Sequence, residues 1–280
     1  MLCVVLCFGL QGVCCGSKWM KRHGAKTMKI RYAGSTHVGM KRAHNEDSFL
    51  LLGEHNLYVV ADGMGGHASG EVASQIAVET LGHFFIDTSR DTDMTWPFKA
   101  NKAQSYDENR LNTGIKLANR RVFESAQSEA KLRGMGTTLV SLYCGKTGVY
   151  VAHVGDSRVY RITEGRIVQM TEDHSLLNDY LKMHTLTPEE IAAFPHKNVI
   201  VRALGMRDSV AVDIQKTIPK KGDYFMLCSD GLSGMIDDAT ILQAIQEAQD
   251  DVEKMCQSLI AAANARGGQD NITVVVVGFS

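Results

Sequence analysis

Proline is scarce in this chain, four in 280 residues, and neither a low-complexity tract nor an internal repeat interrupts it. Extended linkers and solenoid architectures are therefore excluded, which leaves one large domain or two small ones, with length enough for a real core. An excess of one charge is also missing. Thirty Lys and Arg stand against 31 Asp and Glu, a formal net charge of -1 with no basic block, so nothing marks a nucleic-acid binder. Cysteine pairing is absent as well: the seven cysteines form no C-x-x-C pair and their number is odd. Cys144, Cys228 and Cys256 sit in apolar runs as small hydrophobes, which predicts a reducing, cytoplasmic setting and no structural zinc.

Long apolar runs are lacking too. The opening "MLCVVLCFGLQGVCC" is shorter than the ~20 residues a spanning helix needs. Its positive charges, Lys18, Lys21 and Arg22, follow the apolar stretch where a secretory signal would place them before it. That order of charges suits only a weak inverted anchor. The plainer expectation is an N-terminal extension over residues 1–28, poorly ordered for want of packing partners, followed by a domain over 29–280.

What is present reads as strands and helices in mixed order. Short strands are predicted at 29–33, 48–53 and 57–61. A helix follows from about Ser69 to Phe85, and residues 88–105 read as a long surface loop. Leu111, Ile115, Ala118, Val122 and Ala126 recur at helical spacing, predicting an amphipathic helix from Asp107 to about Lys131. "TTLVSLYC", "GVYVAHV", "SRVYRI" and "RIVQM", parted by tight turns, predict an antiparallel meander. A helical patch at Ser175–Met183 precedes "TPEE", where Thr187 and Pro188 open a further helix. "DYFMLCSDG" is a strand, 239–264 is helical, and "NITVVVVGF" closes the chain as a buried strand. The sum is a layered α+β domain, sheets covered by helices.

One feature repeats through that pattern. Asp62 ends the apolar run "LYVVAD" and is followed by four glycines within residues 62–70. Asp230 ends "YFMLCSD", Asp270 precedes "NITVVVV", Asp156 sits in the turn "VGDSR", and Asp47 ends "HNED" before "SFLLL". Any single Asp-Gly is an ordinary turn signal. Five aspartates at the mouths of apolar strands, with no lysine close behind, repel one another unless a cation lies among them. An all-oxygen set favours Mg²⁺ or Mn²⁺ over zinc. A rival reading takes Gly63–Ala68 as the G-x-G-x-x-G/A dinucleotide fingerprint, with Asp87 at about the right distance. Against it, Asp62 would face the pyrophosphate, and the strands that follow form a meander where βαβ units are required.

Six segments in this order, "RAHNEDS", "VVADGMGGH", "GTT", "AHVGDSR", "LCSDGL" and "GGQDNIT", resemble the metal-dependent PP2C-type (PPM) protein serine/threonine phosphatases, and "DGMGGH" resembles their stand-alone bacterial members. The resemblance spans residues 29–280. It implies an α-β-β-α fold, a central antiparallel β-sandwich flanked by pairs of helices, and hydrolysis of phosphoserine and phosphothreonine by a metal-activated water. By the same resemblance Asp62 bridges two Mn²⁺ or Mg²⁺ ions, the Gly63 carbonyl binds one of them, and Asp230 and Asp270 complete that site. Glu46 and Asp47 hold metal-bound waters, and Asp156 with Asp230 holds the third ion of bacterial members. Arg42 matches the arginine that grips the substrate phosphate, a task suited to a planar guanidinium fork.

The chain also departs from the family. Met64 stands where many eukaryotic members carry a histidine proposed as the acid for the leaving alcohol, so that proton has to come from elsewhere, such as a water; His44 and His67 lie nearby and read as packing residues. Residues 178–200 correspond to the family's flap, reading "AAFPHKN" where relatives commonly have His-Pro. The expected partners are phosphorylated proteins and a Ser/Thr kinase whose work is reversed, with no nucleic acid, no membrane and a monomeric state. A catalytically silent member of the family is the alternative, but such modules lose metal aspartates and none is lost here.

Overall fold

A computed structural model of the chain describes residues 5–8, 12–22, 25–65, 69–91, 93–195 and 199–280. Two antiparallel sheets stack face to face. The first runs β1 (Val5–Phe8), β4 (Asp47–Leu52), β5 (Leu57–Met64), β7 (Leu139–Gly145), β8 (Gly148–Val154) and β11 (Asp213–Thr217), with the short β6 (Gly136–Thr137) paired to the end of β5. The second runs β10 (Arg166–Gln169), β9 (Arg158–Thr163), β12 (Tyr224–Cys228), β13 (Ile272–Phe279), β3 (Ala25–His37) and β2 (Gly12–Arg22).

Alternation along each strand explains why they stack. Val59 and Ala61 face α1 (Ser69–Arg90) and α2 (Tyr106–Ser128), whereas Tyr58 and Val60 face the opposite sheet. Val274 and Val276 face α6 (Asp238–Glu247) and α7 (Val252–Ala265), whereas Val275 and Val277 meet Phe49, Leu51 and Phe225 between the sheets. Strands buried on both faces read as unbroken apolar runs, as "ITVVVVGF" does. Four layers, α-β-β-α, follow.

Several expectations need correction. The four-strand meander is in fact two hairpins, β7–β8 in the first sheet and β9–β10 in the second, because the "VGDSR" turn carries the chain across the sandwich. The helix expected at 239–264 is two, broken where Gln249 and Asp250 take φ of 50° and 67°. β11 was not expected, since "DIQKT", nowhere fully buried, carries little apolar signal. The segment expected to lie loose before residue 29 is drawn into the sheets. β2 pairs with β3 from Gly12 opposite Thr36 to Arg22 opposite Ala25, and β1 pairs with β4. An edge strand with free N–H and C=O groups is a ready partner for any neighbouring extended chain.

The segment that corresponds to the flap leaves the second hairpin through α3 (Leu176–Met183) and α4 (Pro188–Ala192). Its base is tied by a Ser175–Ile200 bridge and by the Val201 N–H, which donates to the His174 carbonyl at 2.9 Å. Thr187 caps α4, as its sequence predicted, and Glu190 completes a reciprocal capping box with it. Residues 196–198 of "AAFPHKN" lie outside the described residues.

Deleting residues 1–27 should lower the melting temperature by about 2–4 °C for each kcal/mol of edge pairing lost. Turnover per molecule should not change, because no candidate site residue lies on β1 or β2. A calorimetric melt paired with a phosphatase assay checks both; lost turnover at an unchanged melting temperature would contradict the prediction.

Candidate active site

The sheet register alone sets up the conflict that the sequence suggested. β4 and β5 are antiparallel neighbours, and Asp47 lies directly opposite Asp62. Like charges so placed destabilise a sheet. The second sheet adds Asp230, which lies two residues after β12 and opens the single turn α5 (Asp230–Ser233), and Asp270, two residues before β13. Asp156 comes from the turn that crosses between the sheets, and it lines one cavity with Asp230 and Asp270. The cavity, about 490 Å³, reaches from these carboxylates to Arg158, Asp173 and Ser175 at the flap base.

Electrostatics record the crowding. Burial pushes Asp47 up to about 7, against hydrogen bonds from Thr273 and Ser229 that favour its charge, and Asp230 adds repulsion. Burial, then the Asp230 charge, lifts Asp156 to about 7. Asp62 is raised far above the usual carboxylate range, first by burial and then by Asp47 and Asp230. Asp230 is raised by burial and by Asp270, and Glu46 by burial. Asp47 Oδ1 and Asp156 Oδ1 are buried without a hydrogen-bond partner among the described residues. Orphaned carboxylate oxygens in a buried acidic cluster fit a cation, and their all-oxygen chemistry fits Mg²⁺ or Mn²⁺.

Arg42 enters from the loop between β3 and β4. Its Nη2 meets Asp270 Oδ2 at 2.6 Å, and its side chain is half exposed. Glu46 lies on the same loop, and its carbonyl accepts from the Gly63 N–H at 3.1 Å and from Ser74 Oγ at 2.6 Å. Gly63 has no room for a side chain, since a Cβ would overlap the carbonyl oxygens of Gly70 and Glu46. All eight sequence-derived residues, Arg42, Glu46, Asp47, Asp62, Gly63, Asp156, Asp230 and Asp270, therefore lie at one end of the sandwich.

A second row of uncharged residues from the same motifs holds these groups in place. The Thr138 N–H and Thr137 Oγ1 donate to the Asp62 carbonyl at 2.9 and 2.8 Å, and the Asp62 N–H donates to Thr138 Oγ1 at 3.1 Å. Ser229 Oγ donates to Asp47 Oδ2 at 2.7 Å and accepts from the Thr273 N–H at 3.0 Å. Buried hydroxyls inside "GTT" and "CSDG" are a signal that a search for charged groups passes over. His44 is exposed, Met64 ends β5 opposite Gly136, and His67 lies outside the described residues.

A second cluster, His153, His174 and Asp213, is the only described trio of metal-type ligands within 4.8 Å of one another. The aspartates above are spread more widely, in keeping with more than one ion. The trio does not make a metal cage. Its imidazole rings stack at 4.6 Å and 19°, and His174 Nδ1 accepts the Gly155 N–H at 3.0 Å. The neutral tautomer then carries its proton on Nε2, which donates to Asp213 Oδ2 at 3.0 Å, so no lone pair is left for an ion.

Comparison with known proteins agrees with this geometry. Residues 33–272 match the family described as protein phosphatase 2C. The chain belongs to the protein phosphatase 2C family. It is 37% identical over 248 residues to protein phosphatase PhpP of Streptococcus pneumoniae, covering 88% of this chain and 96% of that one. The crystal structure of the Mycobacterium tuberculosis serine/threonine phosphatase PstP/Ppp superposes with a TM-score of 0.74 at 34% identity, over 89% of this chain and 98% of that chain. A structure of the PstP catalytic domain with 2 manganese ions superposes with a TM-score of 0.71 at 33% identity, over 90% of this chain and 99% of that one. The dinucleotide reading falls with this assignment, and the α-β-β-α architecture is that of the phosphatase 2C fold.

The crowding gives a pH signature. A carboxyl with a folded pKa above its unfolded one binds extra protons in the folded state, so its stabilising contribution is present at low pH and lost as pH rises through the folded value. Asp47 and Asp156 both sit at about 7. The lowered His153 and His174 act in the opposite sense, but only below the ordinary imidazole range. In EDTA the melting temperature should therefore fall as pH rises from about 5, where the raised carboxyls outnumber the two imidazoles, and level off above about pH 7, and Mn²⁺ should remove most of that fall. Flat melting curves in EDTA over this range would show that these carboxylates do not share a buried site.

Proposed function

We propose that this protein is a metal-dependent serine/threonine phosphoprotein phosphatase that works through the eight residues gathered at the sandwich end. The observation that carries the reading is a buried, mutually repelling aspartate cluster drawn from both sheets and the turn between them, in which Asp47 Oδ1 and Asp156 Oδ1 have no hydrogen-bond partner among the described residues. Asp62 would bridge two Mn²⁺ or Mg²⁺ ions, with the Gly63 carbonyl, Asp230 and Asp270 as further ligands, Glu46 and Asp47 holding their waters, and Asp156 with Asp230 holding a third ion. Bound there, the ions supply an activated water and positive charge for the phosphoryl oxygens.

The chain's own residues do the rest. Thr137 and Thr138 hold the Asp62 backbone, so its carboxylate keeps its place among the other aspartates. Arg42, half exposed at the rim, reaches out to two phosphate oxygens and orients phosphorus for in-line attack. With Met64 at the position of the eukaryotic histidine, the proton for the serine or threonine oxygen comes from a water in the cleft.

The substrates are phosphorylated proteins, and the partner is a Ser/Thr kinase whose signal the enzyme ends. We assign it a cytoplasmic location and a monomeric state, with no nucleic acid or membrane partner. Among the described residues no helix is long and apolar enough to cross a membrane. A catalytically silent member would not keep five aspartates at this cost in repulsion.

Hydrolysis of p-nitrophenyl phosphate with Mn²⁺, abolished by EDTA, tests the reading directly. Asp62→Ala, Asp230→Ala and Asp270→Ala should each cut kcat by about a thousandfold or more while leaving the fold intact, because removing a ligand forfeits several kcal/mol of transition-state stabilisation. Near-normal turnover in any of the three at moderate Mn²⁺ would overturn the binuclear site. For Arg42→Ala the expected result is a raised KM for phosphopeptide with a smaller loss in kcat, since its phosphate contact exists in ground and transition states alike.

A further inference from the structure

Asn271 follows Asp270, and its side chain is nearly buried, 5% exposed. Its three side-chain hydrogen bonds all go to one loop. Oδ1 accepts from the Glu46 N–H at 2.8 Å, while Nδ2 donates to the carbonyls of Val38 at 3.0 Å and His44 at 2.9 Å. These bonds grip both ends of residues 38–46, and Arg42 lies between them. Two more contacts seat the same loop on the same turn: the Met40 N–H donates to the Gly268 carbonyl at 2.8 Å, and Gly39, at φ +81°, packs where a Cβ would overlap the Asp270 carbonyl oxygen.

Arg42 has little to hold it otherwise. Its side chain is 53% exposed, and its one ion pair among the described residues is with Asp270. An exposed arginine whose partner is itself a candidate metal ligand takes its position from its backbone. We propose that Asn271 is a positioning residue for phosphate recognition: it sets the Arg42 loop against the carboxylates, so that the guanidinium and the ions meet the same phosphate. The proposal rests on the phosphate-gripping role assigned to Arg42 above. An amide suits the task because it offers one acceptor and two donors in a plane; a carboxylate of the same shape offers no donor, and a hydroxyl offers one.

The test is a double-mutant cycle of Asn271→Ala and Arg42→Ala at saturating Mn²⁺, with KM for a phosphothreonine peptide and the Mn²⁺ Kd from calorimetry. Thermal melts confirm folding. Asn271→Ala should raise KM about tenfold with a smaller effect on kcat, and leave the Mn²⁺ Kd nearly unchanged. In the Arg42→Ala background the further rise should vanish, since a loop that no longer carries the guanidinium has nothing to position. If Asn271→Ala does not fold, Asn271→Ser, which keeps a hydroxyl but loses the amide donors, gives the same comparison. The proposal is overturned if the two KM effects multiply, or if Asn271→Ala weakens Mn²⁺ binding while KM at saturating metal stays normal. An unchanged KM in Arg42→Ala itself would remove the phosphate role and this proposal with it. A raised KM in Arg42→Ala beside a normal one in Asn271→Ala would remove the positioning role alone.

Discussion

Asp47 and Asp62 face each other across two hydrogen-bonded strands, and most of the unusual features at this end of the molecule follow from that pairing. A sheet ordinarily separates like charges or lets water solvate them. Here burial withholds water, and three more aspartates arrive from the other sheet and the crossing turn. Each carboxylate alone costs desolvation; together they add repulsion. Such a cluster survives only if the rest of the fold carries the cost, and a four-layer core with continuous apolar strands does so. Divalent cations then recover at the site what folding gives up there.

Holding repelling groups in place requires neutral, directional contacts that add no charge. The structure uses backbone amides, hydroxyls and one side-chain amide. Thr138 and Thr137 fix the Asp62 backbone, Ser229 bonds Asp47, and Asn271 ties the arginine loop. Glycine supplies the remaining condition, close approach. Gly63 and Gly231 sit where a Cβ would overlap a neighbouring carbonyl, so the loops bearing Glu46, Asp62, Asp230 and Asp270 pack at backbone distance.

The sequence made the site more legible than the scaffold that holds it. Charged residues at the ends of apolar runs break a pattern, so Asp62, Asp230 and Asp270 stood out even before any resemblance, and the motif order supplied Arg42. The long helices showed through their period, and α2 runs from Tyr106 to Ser128 where Asp107 to about Lys131 was expected. Sheet membership did not show. Nothing local in "GVYVAHVGDSRVYRI" says that the chain leaves one sheet for the other at Asp156; that is decided by partners far away in sequence, β11 for β8 and β12 for β9. β2 was missed for a similar reason, since its polar and charged positions become a strand only against β3. The hydroxyl and amide contacts were illegible because serine, threonine and asparagine are common, and geometry alone separates a buried clamp from a surface residue.

Ser229 shows how closely site and core are joined. Its hydroxyl donates to Asp47 in the first sheet and accepts the Thr273 N–H of the second, at 2.7 and 3.0 Å. A few residues away Phe49 packs between the sheets against Gly34, where a Cβ would lie 2.7 Å from its ring and 3.1 Å from Val275. The spacing between the sheets therefore also sets the spacing between Asp47 on one and Asp230 on the other. A close-packed interior transmits displacement because it cannot absorb it. The apolar layer between the sheets thus does more than stabilise the fold. It sets the distance across which carboxylates from the two sheets can share their ions.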